Sequence, residues 1–169
     1  IASGHGFIAA LDQSGGSTPT ALEHYGITAH DYAGDDEMFD LVHQMRTRII
    51  TNTAFRGDRV IGAILFDMTT DRQVAGWDTA DYLWTVKQVV PFVKIDRGLA
   101  AEERGVQLMK PIPDLDDVLR RASEKHLFGT KMRSVIRLAD PEGIERLVQQ
   151  QFGLAHAIVR RDLVPIIEP

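Results

Sequence analysis

Five short runs of apolar and β-branched residues, Phe7–Leu11, Val60–Phe66, Phe92–Ile95, Thr130–Ile136 and Val164–Ile167, recur along the chain, and each ends in polar residues. None shows the clean in-and-out alternation of a strand with one wet face, so each reads as a strand covered on both sides. The segments between them carry helical spacing instead. Asp35–Ile50 sets Met38, Leu41, Val42, Met45 and Ile49 three or four apart, with Asp35 and Asp36 at the positive end of the helix dipole. Thr79–Val90 opens on a threonine cap and lines up Tyr82, Leu83, Val86 and Val90. Asp114–Ala122 offers Leu115, Val118 and Leu119, and Asp140-Pro141 is a cap followed by a first-turn proline, opening a long helix through Ile144, Leu147, Val148, Gln151, Leu154, Ala155 and Ile158. Strand then helix, repeated, predicts an α/β fold whose parallel strands are joined by right-handed crossovers. Two architectures satisfy the pattern: a small doubly wound sheet, which suits 169 residues, or part of a (β/α) barrel, which in full needs about 250.

Composition narrows the function. With 19 Lys and Arg against 24 Asp and Glu, the net charge is −5, so no basic excess is available for phosphate backbones and no nucleic-acid partner is expected. There are no cysteines, which excludes disulfides, thiol nucleophiles and cysteine-based zinc sites. His5, His24, His30, His43, His126 and His156 form no tight ligand pair, so no metal or other cofactor is expected. No apolar run approaches the ~18 residues of a membrane span, and the N-terminus lacks the pattern of a secretory signal. No membrane partner and a cytoplasmic location are expected. Without linker-like or low-complexity stretches, residues 1–169 are expected to form one domain. An initial Ile1 and a final PIIEP both look like cut ends.

The chemistry is expected at the carboxyl ends of the strands, where α/β folds bind ligands. Run one ends in Leu11-Asp12-Gln13-Ser14-Gly15-Gly16-Ser17, run three reads Val93-Lys94-Ile95-Asp96-Arg97, run four opens Thr130-Lys131-Met132-Arg133, and run five closes on Ile167-Glu168. Residues two apart share one face of a strand, so Lys94 goes with Asp96 and Lys131 with Arg133. Charges at such positions require partners, and Lys94, Lys131 and Arg133 balance Asp12, Asp96 and Glu168 three against three. They are either structural ion pairs or an active-site rim. The turn from Asp12 to Pro19 either cradles an anion with its glycine amides and Ser14 and Ser17, or is a plain turn. It matches neither a Walker loop nor the GxGxxG fingerprint.

Six motifs, ALDQSGGSTP, IGAILFDMTTDR, FVKIDRGL, GVQLMKPIPDL, GTKMRSVI and LVPIIEP, resemble, in that order, those of class I fructose-bisphosphate aldolase, the Schiff-base type in its bacterial form. The resemblance runs from Ile8 to Pro169. It implies a (β/α) TIM barrel, here about five of its eight βα units, and reversible cleavage of fructose 1,6-bisphosphate to dihydroxyacetone phosphate and glyceraldehyde 3-phosphate without a metal. It implies that Asp12 orients and protonates the sugar near the scissile bond and that Lys94 stands at the phosphate end. Lys131 would stabilise the developing oxyanion, and Arg133 would steer phosphate or hold the acid. Glu168 would be the general acid and base, and Ser14 and Ser17 substrate contacts. Relatives commonly carry lysine at Thr20 and at Arg97, which alters the reach or charge of two basic contacts.

The resemblance also places the Schiff-base lysine on a sixth strand beyond Pro169, so the 169-residue chain alone is expected to be inactive and marginal in folding. A homo-oligomer is expected at full length, with a phosphorylated sugar as substrate. Two other functions fit the same residues: a catalytically silent sugar-phosphate-binding barrel domain, and a Schiff-base lyase acting on a different phosphorylated sugar.

Overall fold

A computed structural model describes Ile1, residues 3–14 and residues 17–169. The chain packs as two compact units, Ile1–Pro91 and Phe92–Pro169. Among the described residues no helix is long and apolar enough to cross a membrane.

In the first unit, β1 (Phe7–Leu11) and β2 (Val60–Leu65) pair in parallel with Ile8 beside Gly62 and Leu11 beside Leu65. Five of the six β2 residues are buried, as the absence of alternation predicts. The short helix α1 (Ser17–Glu23) follows β1, and the long α2 (Gly34–Thr51) leads to β2. Asp35, Asp36 and Glu37 occupy the first turn of α2 and Arg48 the last, complementing its dipole at both ends. Leu22 of α1 packs with Met38, Val42 and Met45 of α2 into one apolar cluster.

The face that α2 buries differs from the apolar stripe. Met38, Val42, Met45, Arg46 and Ile50 are buried, whereas Leu41 and Ile49 are only partly covered. The helix is therefore turned by about one position, and an arginine goes into the interior.

Beyond β2 come α3 (Asp67–Thr70), the hairpin of β3 (Gln73–Val74) and β4 (Trp77–Asp78), and α4 (Thr79–Tyr82). The periodicity of Thr79–Val90 predicts one α-helix. The segment instead passes at Leu83 into a π-helical turn ending at Lys87, closed by Gln88 at φ 58°. The wider winding exposes Val86 and buries Lys87. The Lys87 ammonium donates to the Thr51 and Asn52 carbonyls at 3.1 and 2.8 Å, satisfying the end of α2.

β5 (Val90–Lys94) straddles the division and continues into the second unit, where it pairs in parallel with β7 (Gly129–Arg133), and β7 with β9 (Val164–Glu168). The register sets Lys94 beside Lys131, Lys131 beside Ile166, and Arg133 beside Glu168. A Cβ on Gly129 would stand 2.0 Å from the Val164 carbonyl oxygen, so only glycine admits the close approach of β9. The residues from Thr130 to Ile136 are not one strand. β7 stops at Arg133. The buried Ser134 gives its N–H to the Glu168 carbonyl at 2.9 Å and accepts from Gln151 at 2.7 Å on Oγ. Val135–Ile136 (β8) then turns away to pair antiparallel with Val106–Gln107 (β6).

Two helices complete this unit, α5 (Leu115–Glu124) and α6 (Pro141–Val159). Asp140 caps α6 as its sequence predicts, its carboxylate accepting the Gly143 N–H at 2.8 Å. Leu147, Gln151, Ala155 and Ile158 of α6 are buried, while Val148 is exposed.

Candidate active-site rims

The parallel register of β5, β7 and β9 gathers charge at their carboxyl ends. Adjacent strands lie about 4.8 Å apart, so Lys94 and Lys131 are neighbours across one strand spacing. Like charges that close repel unless each has its own anion. Lys94 Nζ lies 2.7 Å from Asp96 Oδ1 and donates to the Asp96 carbonyl at 2.9 Å. Lys131 Nζ lies 2.8 Å from Glu168 Oε2, and Arg133 Nε is 3.3 Å from Glu168 Oε1. One carboxylate thus serves two cations that stand two residues apart on one strand face, as the spacing predicts.

Solvent access divides these groups. The Lys131 side chain is 10% exposed, whereas Glu168 and Arg133 keep 45% and 53%. A nearly dry ammonium is a strong hydrogen-bond donor to charge developing on a substrate oxygen. A half-exposed carboxylate bonded to it can exchange protons with a bound molecule or with water. Asp96 is buried, and its Oδ2 meets no donor among the described residues.

In the first unit, Asp12 and Gln13 follow the carboxyl end of β1 and are half-buried. The Ser14 and Ser17 residues close on each other: Ser17 Oγ donates to the Ser14 carbonyl at 2.9 Å and accepts the Ser14 N–H at 3.1 Å. Gly15 and Gly16, the glycines of the expected anion cradle, lie outside the described residues.

Arg46, which reading the sequence for charge at strand ends does not single out, closes this rim from behind. It is fully buried. Its Nη2 donates to the Gln13 carbonyl at 2.6 Å, its Nη1 donates to Thr69 Oγ1 at 2.7 Å, and the guanidinium lies 6.0 Å from the centre of the Phe66 ring. Burial pushes its pKa down to about 10, against the opposing pull of Asp12. Asp12 therefore has a charged neighbour within its own unit. The only sequence signal was negative: an arginine i+4 from Val42 and i−4 from Ile50, on what became the buried face.

No protein-family profile matches the chain. Among curated proteins, the class 1 fructose-bisphosphate aldolase of Synechocystis sp. is 62% identical over 164 residues, which is 97% of this chain and 55% of that protein. The chain thus spans little more than half the length of this relative. Among solved structures, a fructose-bisphosphate aldolase from Plasmodium falciparum, crystallised in a ternary complex with TRAP and a small-molecule inhibitor, aligns with a TM-score of 0.70 at 22% identity. That alignment covers 99% of this chain and 48% of the other, and it shows the fold. The doubly wound alternative is set aside, and the motif resemblance is borne out: over nearly its whole length this chain is similar to class 1 fructose-bisphosphate aldolase, and it carries part of an aldolase (β/α) barrel.

Proposed function

We propose that this chain supplies the acid–base and substrate-holding residues of a Schiff-base fructose-bisphosphate aldolase. The reaction is reversible cleavage of fructose 1,6-bisphosphate to dihydroxyacetone phosphate and glyceraldehyde 3-phosphate, as in glycolysis and gluconeogenesis. The nucleophilic lysine belongs to the part of the relative's length that the chain does not cover. Residues 1–169 serve as one partial barrel domain of a cytoplasmic, metal-independent homo-oligomer.

The observation that carries this reading is the Lys131–Glu168–Arg133 group at the ends of β7 and β9. Glu168 gives and takes the protons that accompany addition and loss of water at the substrate carbonyl. Lys131, dry and fixed at 2.8 Å from that carboxylate, donates to the oxygen on which charge develops. Arg133 holds the acid and steers phosphate. Lys94, paired with Asp96 at 2.7 Å, stands at the phosphate end and is not the nucleophile, because an ammonium held by a carboxylate is a poor one. Asp12 orients the sugar hydroxyl near the breaking bond, and Ser14 and Ser17 contact the substrate.

Borohydride reduction of the complete protein in the presence of dihydroxyacetone phosphate tests this. A covalent adduct on the wild type, together with cleavage activity that falls by about 10²- to 10⁴-fold in Glu168→Gln, is the expected result. Reversible binding with no adduct would identify a silent sugar-phosphate binder, and an absence of both would end the proposal. The 169-residue chain alone is expected to show no cleavage.

A further inference from the structure

Arginine is almost never fully buried unless its charge and its five donors are answered. Arg46 has no exposed surface, yet it occupies a helix face otherwise made of Met38, Val42, Met45 and Ile50. A methionine or leucine there would extend the apolar stripe at no desolvation cost, so packing does not call for the charge. Its two short bonds point to another purpose. One goes to the carbonyl of Gln13, the residue directly after Asp12, and the other to Thr69, in α3 just beyond β2. β1 and β2 are register neighbours, with Leu11 beside Leu65, so one rigid guanidinium ties the loop leaving β1 to the short helix that follows β2. Its Nε finds no acceptor among the described residues, so the fork is aimed by these two bonds alone of those it forms there.

We infer that Arg46 is a positioning residue: by clamping the main chain next to Asp12 to Thr69, it fixes where the Asp12 carboxylate stands. The inference rests on the role proposed above for Asp12. Arg46 touches no substrate. It acts through the backbone of the β1 loop, where a displacement of one ångström is enough to spoil the geometry of a reacting group. Lysine at this position would keep the charge but could not bond both partners in the fixed geometry of the fork.

The test measures fructose-bisphosphate cleavage by the complete protein for wild type, Arg46→Lys, Thr69→Val, Asp12→Asn and the two double variants with Asp12→Asn, followed long enough to quantify residual rates. Arg46→Lys is expected to lower kcat by roughly 10- to 100-fold with little change in KM, and Thr69→Val to lower it less. Neither is expected to lower the rate further once Asp12 is Asn. An Arg46→Lys enzyme with wild-type kcat would overturn the clamp, as would one that loses the same factor in both backgrounds, because that loss would not pass through Asp12. If Arg46→Lys fails to fold by circular dichroism, the Thr69→Val pair decides by the same comparison. Full activity in Asp12→Asn would instead refute the role given to Asp12, and no cleavage or borohydride adduct in the wild type would refute the aldolase reading itself.

Discussion

Replacing Lys131 with methionine separates a charge kept for chemistry from one kept for stability. The two side chains are close in length, so contacts of the stem survive and the main loss is the ammonium. At 2.8 Å from Glu168, the attraction is about 6 kcal/mol at an effective dielectric of 20 and about 1.5 kcal/mol at that of water. Glu168 is 45% exposed, which moves the value toward the lower figure. Burying an ammonium costs several kcal/mol, so the desolvation cost matches or outweighs the attraction. Glu168 remains half in solvent and beside Arg133 after the change, so no carboxylate is stranded. Lys131→Met in the complete protein is therefore expected to unfold within about 1 kcal/mol of wild type or to be up to about 2 kcal/mol more stable. The cleavage rate is expected to fall by about 10²- to 10⁴-fold. Thermal melting by circular dichroism and a coupled cleavage assay read the two effects separately. A destabilisation above about 3 kcal/mol, with activity reduced only in proportion to the folded fraction, would make the pair structural and refute the reasoning.

Three further outcomes follow from single contacts. Gly129→Ala drives a Cβ into the Val164 carbonyl, which cannot swing aside as a side chain could; it is expected to cost more than about 3 kcal/mol and to give insoluble protein, and a soluble variant of wild-type melting temperature would contradict this. Asp140→Ala removes the acceptor of the Gly143 N–H and should lower stability by about 1 kcal/mol, read from the denaturation midpoint. Burial pushes the His43 pKa below its ordinary value of 6.5. The unfolded chain then binds the proton first, so His43 contributes its full stability above that value and loses it as the pH falls through the window just below. His43→Gln is expected to narrow the difference in melting temperature between pH 8 and pH 5.5, and an unchanged difference would contradict the assignment.

β2, β5 and β7 were legible because burial on both faces leaves an unmistakable apolar run. β1 and β9 carry the same kind of run but leave most of their residues exposed or only partly covered, against the expectation of cover on both sides. The rim was legible because the two-residue spacing survives any detail of packing. Lys131 and Arg133 meet on Glu168 for that reason. The helices were less transparent. Hydrophobic periodicity assigned Leu41 and Ile49 to the inner face of α2, but Arg46 is drawn inward by the Gln13 carbonyl and Thr69, partners more than 20 residues away that no local pattern encodes. Val86 leaves its expected place on the apolar side, and Lys87 is buried, for a similar reason. The π turn brings the lysine to the open carbonyls at the end of α2, and this contact exists only once the tertiary fold does. The break in the run from Thr130 likewise depends on Ser134 meeting Glu168 and Gln151.

A crystal structure of the complete protein after borohydride trapping of dihydroxyacetone phosphate would probe the second-unit rim most directly. The trapped ligand is expected to place polar atoms within hydrogen-bond reach, about 2.6–3.2 Å, of Lys131 Nζ and the Glu168 carboxylate. An adduct bound elsewhere, with the Lys131–Glu168–Arg133 group unchanged and untouched, would show that these charges hold the barrel together rather than handle the sugar.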